Sequence, residues 1–352
     1  ATGREAWRPA AKALGARLRF RTLRARLRDR SRSLWFVGSS ANYLPRGQEM
    51  KRSTRQTILA LAATALALCA CKGKGVDMSR GGTELVYELK GGKTGEVALG
   101  EARKLALARL QALEVPAKAI IDGERLRVQI PKSVEAASID RAKTVLGLVG
   151  RFEVREVDDG ASLRVFGPDL PEDCGARIVQ DNWTDHTGAN RGAFTVVAAS
   201  AEVARKVLET AGFKPGELEL LAERPLDPSQ VRLYVVRAAA LGNDRVKSVG
   251  TPRDAYLPPE VAVAFDEPGT KAYEELTRKS LGRKIAFVVD GEILETAAVL
   301  APVAVGKASI SQPWTGTKEQ QRRQAEVYAA AIRFGPMPAR LELVEEREVG
   351  GR

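Results

Sequence analysis

Three cysteines and one histidine limit what this 352-residue chain can do chemically. His186 is the sole imidazole, so one chain cannot assemble a multi-histidine metal site, and any Ser-His relay would have to use it. No G-x-x-x-x-G-K-[ST], H-E-x-x-H or G-x-S-x-G pattern occurs. Asp181, Asp185 and His186 are close enough in sequence to bind a cation, yet Asn182, Trp183, Thr184 and Gly188 around them read as a polar loop. Cys174 sits between Asp173 and Gly175 with no base nearby. The expectation is therefore no catalytic residue, no metal, no cofactor and no enzyme. Cys71 is the exception. Met50 is followed by Lys51, Arg52 and Arg55, then by an apolar run from Ile58 to Cys71, the order that an export signal requires. At 14 residues the run is shorter than the roughly 20 a spanning helix needs. Leu68 stands three residues before Cys71 and Ala70 immediately before it, the spacing of a lipoprotein processing site. Cys69 fits less well, because bulky Leu68 would occupy the cleavage position. Lipidation of the Cys71 thiol is expected, and each buried methylene of the acyl chains adds about 0.8 kcal/mol of membrane affinity.

Charge supports this division. Residues 1–49 carry twelve Lys or Arg against three acids and are expected to be a basic leader upstream of a true start at Met50. Residues 1–70 hold 15 of the 56 basic and three of the 44 acidic side chains, which leaves 41 of each sign in the remainder. A mature body without net charge has no excess to drive counterion release from phosphates, so no nucleic-acid partner is expected. With Cys71 lipidated, Cys174 has no intramolecular disulfide partner and stability must come from a buried core.

The elements that would carry these residues follow from periodicity. Glu84 to Lys90 alternates as a strand, and residues 97–113 place Ala102, Ala106, Leu110 and Leu113 at helical spacing with Arg and Lys opposite. Asp122-Gly123 and Asp290-Gly291 are two-residue hairpin signals, since a type I′ turn needs positive φ twice. Ser138 is expected to cap a helix bearing Ile139, Ala142, Leu146 and Val149, and Arg151 to Val157 reads as a fourth strand. The resulting order predicts a ferredoxin-like βαββαβ base in an α+β protein. Residues 159–225 yield only one clear element, a helix over 200–211. Beyond them come a strand at 261–265, a helix at 268–281, the 284–294 hairpin, a helix capped by Thr317 and Gln320, and a closing strand at 339–349.

The C-terminal half resembles the first periplasmic domain of SecD, a bacterial export membrane protein. Phe265-Asp266 and Gly269 match its F-D-x-x-G helix start, and Gly282-Arg283 and Asp290-Gly291 bracket its G-R-x-[LI]-A-[IF]-V-[LV]-D-G strand. Glu345-Glu346-Arg347 followed by Val349-Gly350 match the closing E-E-R-x-V-G, and Asp77 with Arg80-Gly81-Gly82 is similar to the D-L-R-G-G opening. Val305 and Gln312 stand where the family usually has glycine. The resemblance implies a base with an α/β head subdomain, the C-terminal strand returning to the base. It also implies structural or polypeptide-binding roles for the matched residues. A lipid anchor would replace the family's first membrane helix, and the proton-coupling bundle would be missing.

The expected organisation is a leader (1–49), signal (50–70), tether (71–76), base (77–158), unassigned insert (159–225), head (226–334) and returning strand (335–352). The expected function is assistance to protein export by binding extended polypeptide or docking on envelope machinery. A small ligand or cell-wall component in the head cleft is the alternative. The expected location is the periplasmic side of the envelope, with Lys72 after the lipidated cysteine favouring the outer membrane.

Overall fold

The computed structural model describes residues 76–158, 160, 174–210, 218–224, 230–252, 258–311 and 314–351. Cys71, the signal and the leader lie outside them, as does Gln312. The first body is a four-stranded antiparallel sheet in the order β14-β1-β3-β2: β1 (Gly82–Lys90), β2 (Lys118–Asp122), β3 (Arg125–Pro131) and β14 (Arg340–Val349). Helices α1 (Glu96–Ala112) and α2 (Ala136–Gly147) cover one face. The α1 positions Leu99, Ala102, Ala106 and Leu110 pack on Leu85, Tyr87, Leu126, Val128 and Ile130, whose alternation places them on that face. The α2 helix begins at Ala136 behind Glu135, three residues earlier than a Ser138 cap requires.

Residues 151–157, expected as the base's fourth strand, instead supply β4 (Phe152–Val157) of a different sheet. Their place beside β1 is taken by β14, which pairs with β1 along its whole length, from Gly82↔Val349 to Lys90↔Arg340. The alternation of β4 fixes a half-buried strand but not its neighbours, and Phe152 and Val154 find a larger apolar surface in the second body.

That body is built around β4, β7 (Glu219–Glu223), β8 (Val231–Gly242), β11 (Lys284–Val289) and β12 (Glu292–Ala298). Their pairings form a ring, β4-β11-β12-β7-β8 and back to β4, closed on one side by the single parallel pair Ile293↔Glu223. Tyr234, Val236, Ala286, Val288 and Ile293 form one apolar cluster of this ring. The insert supplies a long hairpin, β5 (Ala176–Thr184) with β6 (Asn190–Ala198), joined to β8 at Val196–Ala198 and packed by α3 (Ala201–Thr210). A small sheet, β13-β10-β9, comprises β9 (Val246–Gly250), β10 (Val261–Phe265) and β13 (Lys307–Ile310). Helices α4 (Glu267–Lys279) and α5 (Lys318–Arg333) complete the body.

The α5 helix belongs to both cores. Ala325, Tyr328, Ala329 and Ile332 pack into the second body, whereas Val327, Ala330 and Ala331 pack into the first. No helix among the described residues is long and apolar enough to cross a membrane.

Candidate functional site

The residues singled out by sequence gather into separate groups. At the start of β1, Asp77 accepts a hydrogen bond from Ser79 N at 2.9 Å, and this bond holds its carboxyl below the ordinary value. The following turn takes Gly81 to φ 76°. A Cβ on Gly81 would lie 2.2 Å from Val349 O, and one on Gly82 2.1 Å from Ile130 O. Both glycines are thus demanded by a strand passing close between two neighbours. Arg80 is exposed. The Glu345-Glu346-Arg347 run lies across the same seam. Arg347 donates to Glu84 and pairs with Glu345, while Glu346 reaches Lys143 of α2 at 2.7 Å. Glu84 also meets Arg127 and Gln129. Burial works against its charge, but these partners together hold its pKa below the ordinary value. The opening and closing motifs therefore fasten one strand pair.

In the second body, Asp266 is the N-cap of α4, accepting from Gly269 N at 2.6 Å. A Cβ on Gly269 would come within 2.9 Å of the Arg245 Cβ, which accounts for glycine there. Phe265 is buried beside Tyr273, with ring centroids 5.1 Å apart. Gly282 takes φ 75°, and its carbonyl accepts from Trp183 Nε1 at 3.1 Å. Arg283 pairs with Glu156 at 3.2 Å. The Asp290-Gly291 turn has φ 54° and 82°, both positive as a type I′ turn requires. At the other hairpin only Gly123 is positive and the loop is Gly123-Glu124, one residue later than expected.

Asp290 does more than turn the chain. Its carboxylate accepts from Gly150 N at 2.9 Å and Arg151 N at 2.8 Å, where the chain leaves the first body for β4. Sequence reasoning missed the group that completes this junction. Arg109 of α1 is fully buried and donates to the carbonyls of Val145, Leu148, Val149, Ala331 and Gly335. Burial pulls its pKa down to about 10, opposed by the Asp290 charge, so it remains a cation at neutral pH. Asn243 accepts from Phe152 N and donates to Gly150 O. Both chain crossings between the bodies are held here, and Met337 N bonds directly to Val149 O. A spacing signal existed: residue 109 continues the 102, 106 and 113 register of the apolar face.

The Asp181-Asp185-His186 stretch is the polar hairpin end. Asp185 accepts from Thr187 N and Oγ1, Ala189 N and Arg191 Nε, and the Thr187 and Arg191 bonds above all hold its carboxyl well below the carboxylate range. Asp181 pairs with Lys284, whose ammonium also lies 5.2 Å from the Trp183 ring centroid. Cys174 is half-buried, its thiol donating to Ala176 O.

Comparison with known proteins fits this architecture. The family model for the SecDF P1 head subdomain matches residues 219–339. The protein translocase subunit SecD of Acidaminococcus fermentans is 39% identical over 92 residues, 26% of this chain and 21% of that protein. The SecDF subunit of Thermus thermophilus is 26% identical over 278 residues, 78% of this chain and 31% of its own. A crystal structure of SecDF in a super-membrane-facing form aligns with TM-score 0.50 at 21% identity, covering 85% of this chain and 35% of that one.

The chain carries a SecDF P1 head subdomain.

Phe265, Asp266, Gly269, Gly282, Arg283, Asp290 and Gly291 fall within the matched head. The hairpin β5–β6 precedes it and docks on the head through Trp183 at the Gly282 turn and Asp181 at Lys284. The chain spans about a fifth to a quarter of the length of the first curated SecD relatives it matches. Likeness to the solved SecDF structure bears on the fold alone.

Proposed function

We propose that this protein is a non-enzymatic, lipid-anchored P1 domain of the bacterial envelope that assists protein export by engaging extended polypeptide or export machinery. The match of residues 219–339 to the SecDF P1 head carries this reading. The anchor would be Cys71, facing the periplasm and sorted to the outer membrane by Lys72. The base would be a ferredoxin-like unit with β14 as its fourth strand, in the order 4-1-3-2 that the sheet displays. The matched motif residues support the reading as scaffold. They cap α4, turn the β11–β12 hairpin and fasten β14, which leaves sheet edges to meet a client chain by strand addition.

Crosslinking in intact cells followed by purification from envelope fractions tests the function. Recovery of secreted proteins in transit or of export components is the expected result, and a protein captured with neither would refute it. Mass spectrometry of the mature N-terminus tests the anchor: a thioether-linked diacylglycerol on Cys71 is expected, and an unmodified Cys71 would overturn that part.

A further inference from the structure

The β5–β6 hairpin reaches well past the strand that roots it. Its own strands pair over nine positions, from Ala176↔Ala198 to Thr184↔Asn190. Among the described residues, β6 pairs with β8 at Val196, Val197 and Ala198 alone, and β5 has β6 as its one strand partner. The far end holds its own shape, because Asp185 takes its bonds from Thr187, Ala189 and Arg191 of the same hairpin. A hairpin built this way can swing about its root as one piece.

Its far part is held across one end of the β4-β11-β12-β7-β8 ring by side chains. Lys284 precedes Ala286 and Val288 on the ring's inner face, and Tyr234 belongs to the same apolar cluster. The Lys284 ammonium lies 5.2 Å from the Trp183 ring centroid and 5.9 Å from that of Tyr234, and it pairs with Asp181. The Tyr234 hydroxyl donates to Asp181 at 3.4 Å. Two aromatic faces and a carboxylate around a primary ammonium form a cage. The cation belongs to the ring, whereas Trp183 and Asp181 belong to the hairpin.

Groups beneath the hairpin oppose its closure. Ala193 pairs with Asp181, so Ala193 and Thr195 share the inward face. Thr195 is fully buried, and its hydroxyl has no hydrogen-bond partner among the described residues. A hydroxyl shut away without a partner is better off in water. Burial also raises the pKa of Glu223, which Lys284 and Arg232 lower and Asp181 raises further. A few side-chain contacts, set against two groups that favour hydration, suit a cover that opens while the body stays folded.

We propose that the β5–β6 hairpin is a lid on the ring, hinged at Val196–Ala198 and latched by Lys284 in the cage of Trp183, Tyr234 and Asp181. The lid is independent of the export reading above.

Cysteine trapping in the full chain tests it. Ala193→Cys places a thiol under the lid, where Ala193 is 1% exposed, and Ala106→Cys places one in the base core as a gauge of whole-molecule unfolding. Maleimide labelling read by peptide mass spectrometry separates both thiols from the native cysteines. Lys284→Ala should speed labelling at position 193 about tenfold or more and leave position 106 unchanged. Added n-propylammonium, which replaces the side-chain atoms lost, should slow labelling again, and n-propanol should not. Thr195→Val removes the unpartnered hydroxyl at nearly the same size and should slow labelling about fivefold. An unchanged rate at position 193 in either variant, or equal acceleration at position 106, would overturn the lid. Rescue by propanol to the same degree as by propylammonium would overturn the ammonium latch.

Discussion

Arg109 shows how one side chain can be worth more than the motif residues around it. Its guanidinium lies among five carbonyl oxygens drawn from the end of α2, the segment into β4 and the end of α5. Those carbonyls sit at chain ends where no further helical turn can satisfy them. Replacing Arg109 with Met would leave several buried acceptors without donors, and the expected loss is about 3–5 kcal/mol in urea unfolding. Arg109→Lys keeps the charge but not the planar fork and should fall between. A loss below about 1 kcal/mol for the Met variant would show that the cluster does not hold the junction. Glu223 makes the opposite case. Burial raises its pKa, against the opposing charges of Lys284 and Arg232. Its neutral form is therefore the one the fold favours, so its contribution is fully present below the unfolded value and lost as pH rises through the folded one. Glu223→Gln should raise the Tm at pH 7, with the gain vanishing as pH falls to about 4, near the unfolded value. Thermal melts at both pH values check this, and a gain that persists in acid would contradict it.

Local chemistry made several elements readable in advance. Thr317 accepts from Gln320 N while the Gln320 side chain accepts from Thr317 N, the reciprocal pair that sequence spacing predicts. Gly335 at φ 78° follows the helix end, and Asp290-Gly291 turns as its composition demands. Thr317→Ala should therefore cost about 1 kcal/mol, and Thr317→Asp, another good cap, almost nothing. Equal losses in chemical denaturation would mean that the cap is not what holds this end. Partner choice was not readable. The alternation of Phe152–Val157 suits any sheet with one buried face, and only long-range packing sends it to β11 and β8 rather than β1. The ring closure was equally hidden, because Ile293↔Glu223 joins two strands by a single pair. In the insert, Pro and Gly obscured the hairpin, although β5 and β6 pair over nine consecutive positions. Arg109 is hidden in the α1 pattern because its charge masks its place on the apolar face.

At the scale of the molecule, the sharing of α5 decides how base and head respond to load. A helix that contributes Tyr328 and Ile332 to one core and Val327 and Ala331 to the other cannot leave either without exposing apolar surface. Arg109, Asn243 and Asp290 add polar bonds across both chain crossings, so separation would also strand buried donors and acceptors. Base and head should accordingly unfold as one cooperative unit. Native-state hydrogen exchange reads this directly, since amides of β3 in the base and β11 in the head should report the same global opening free energy. Leu126→Ala, deep in the base and absent from the head core, should cost about 2–5 kcal/mol. That loss should appear undiminished at the Phe287 and Val288 amides of β11. If β11 kept its protection while β3 lost it, the head would be an independent folding unit and α5 merely adjacent to the base. With the coupling intact, force applied to the head passes through α5 and Arg109 to the base without first loosening the head.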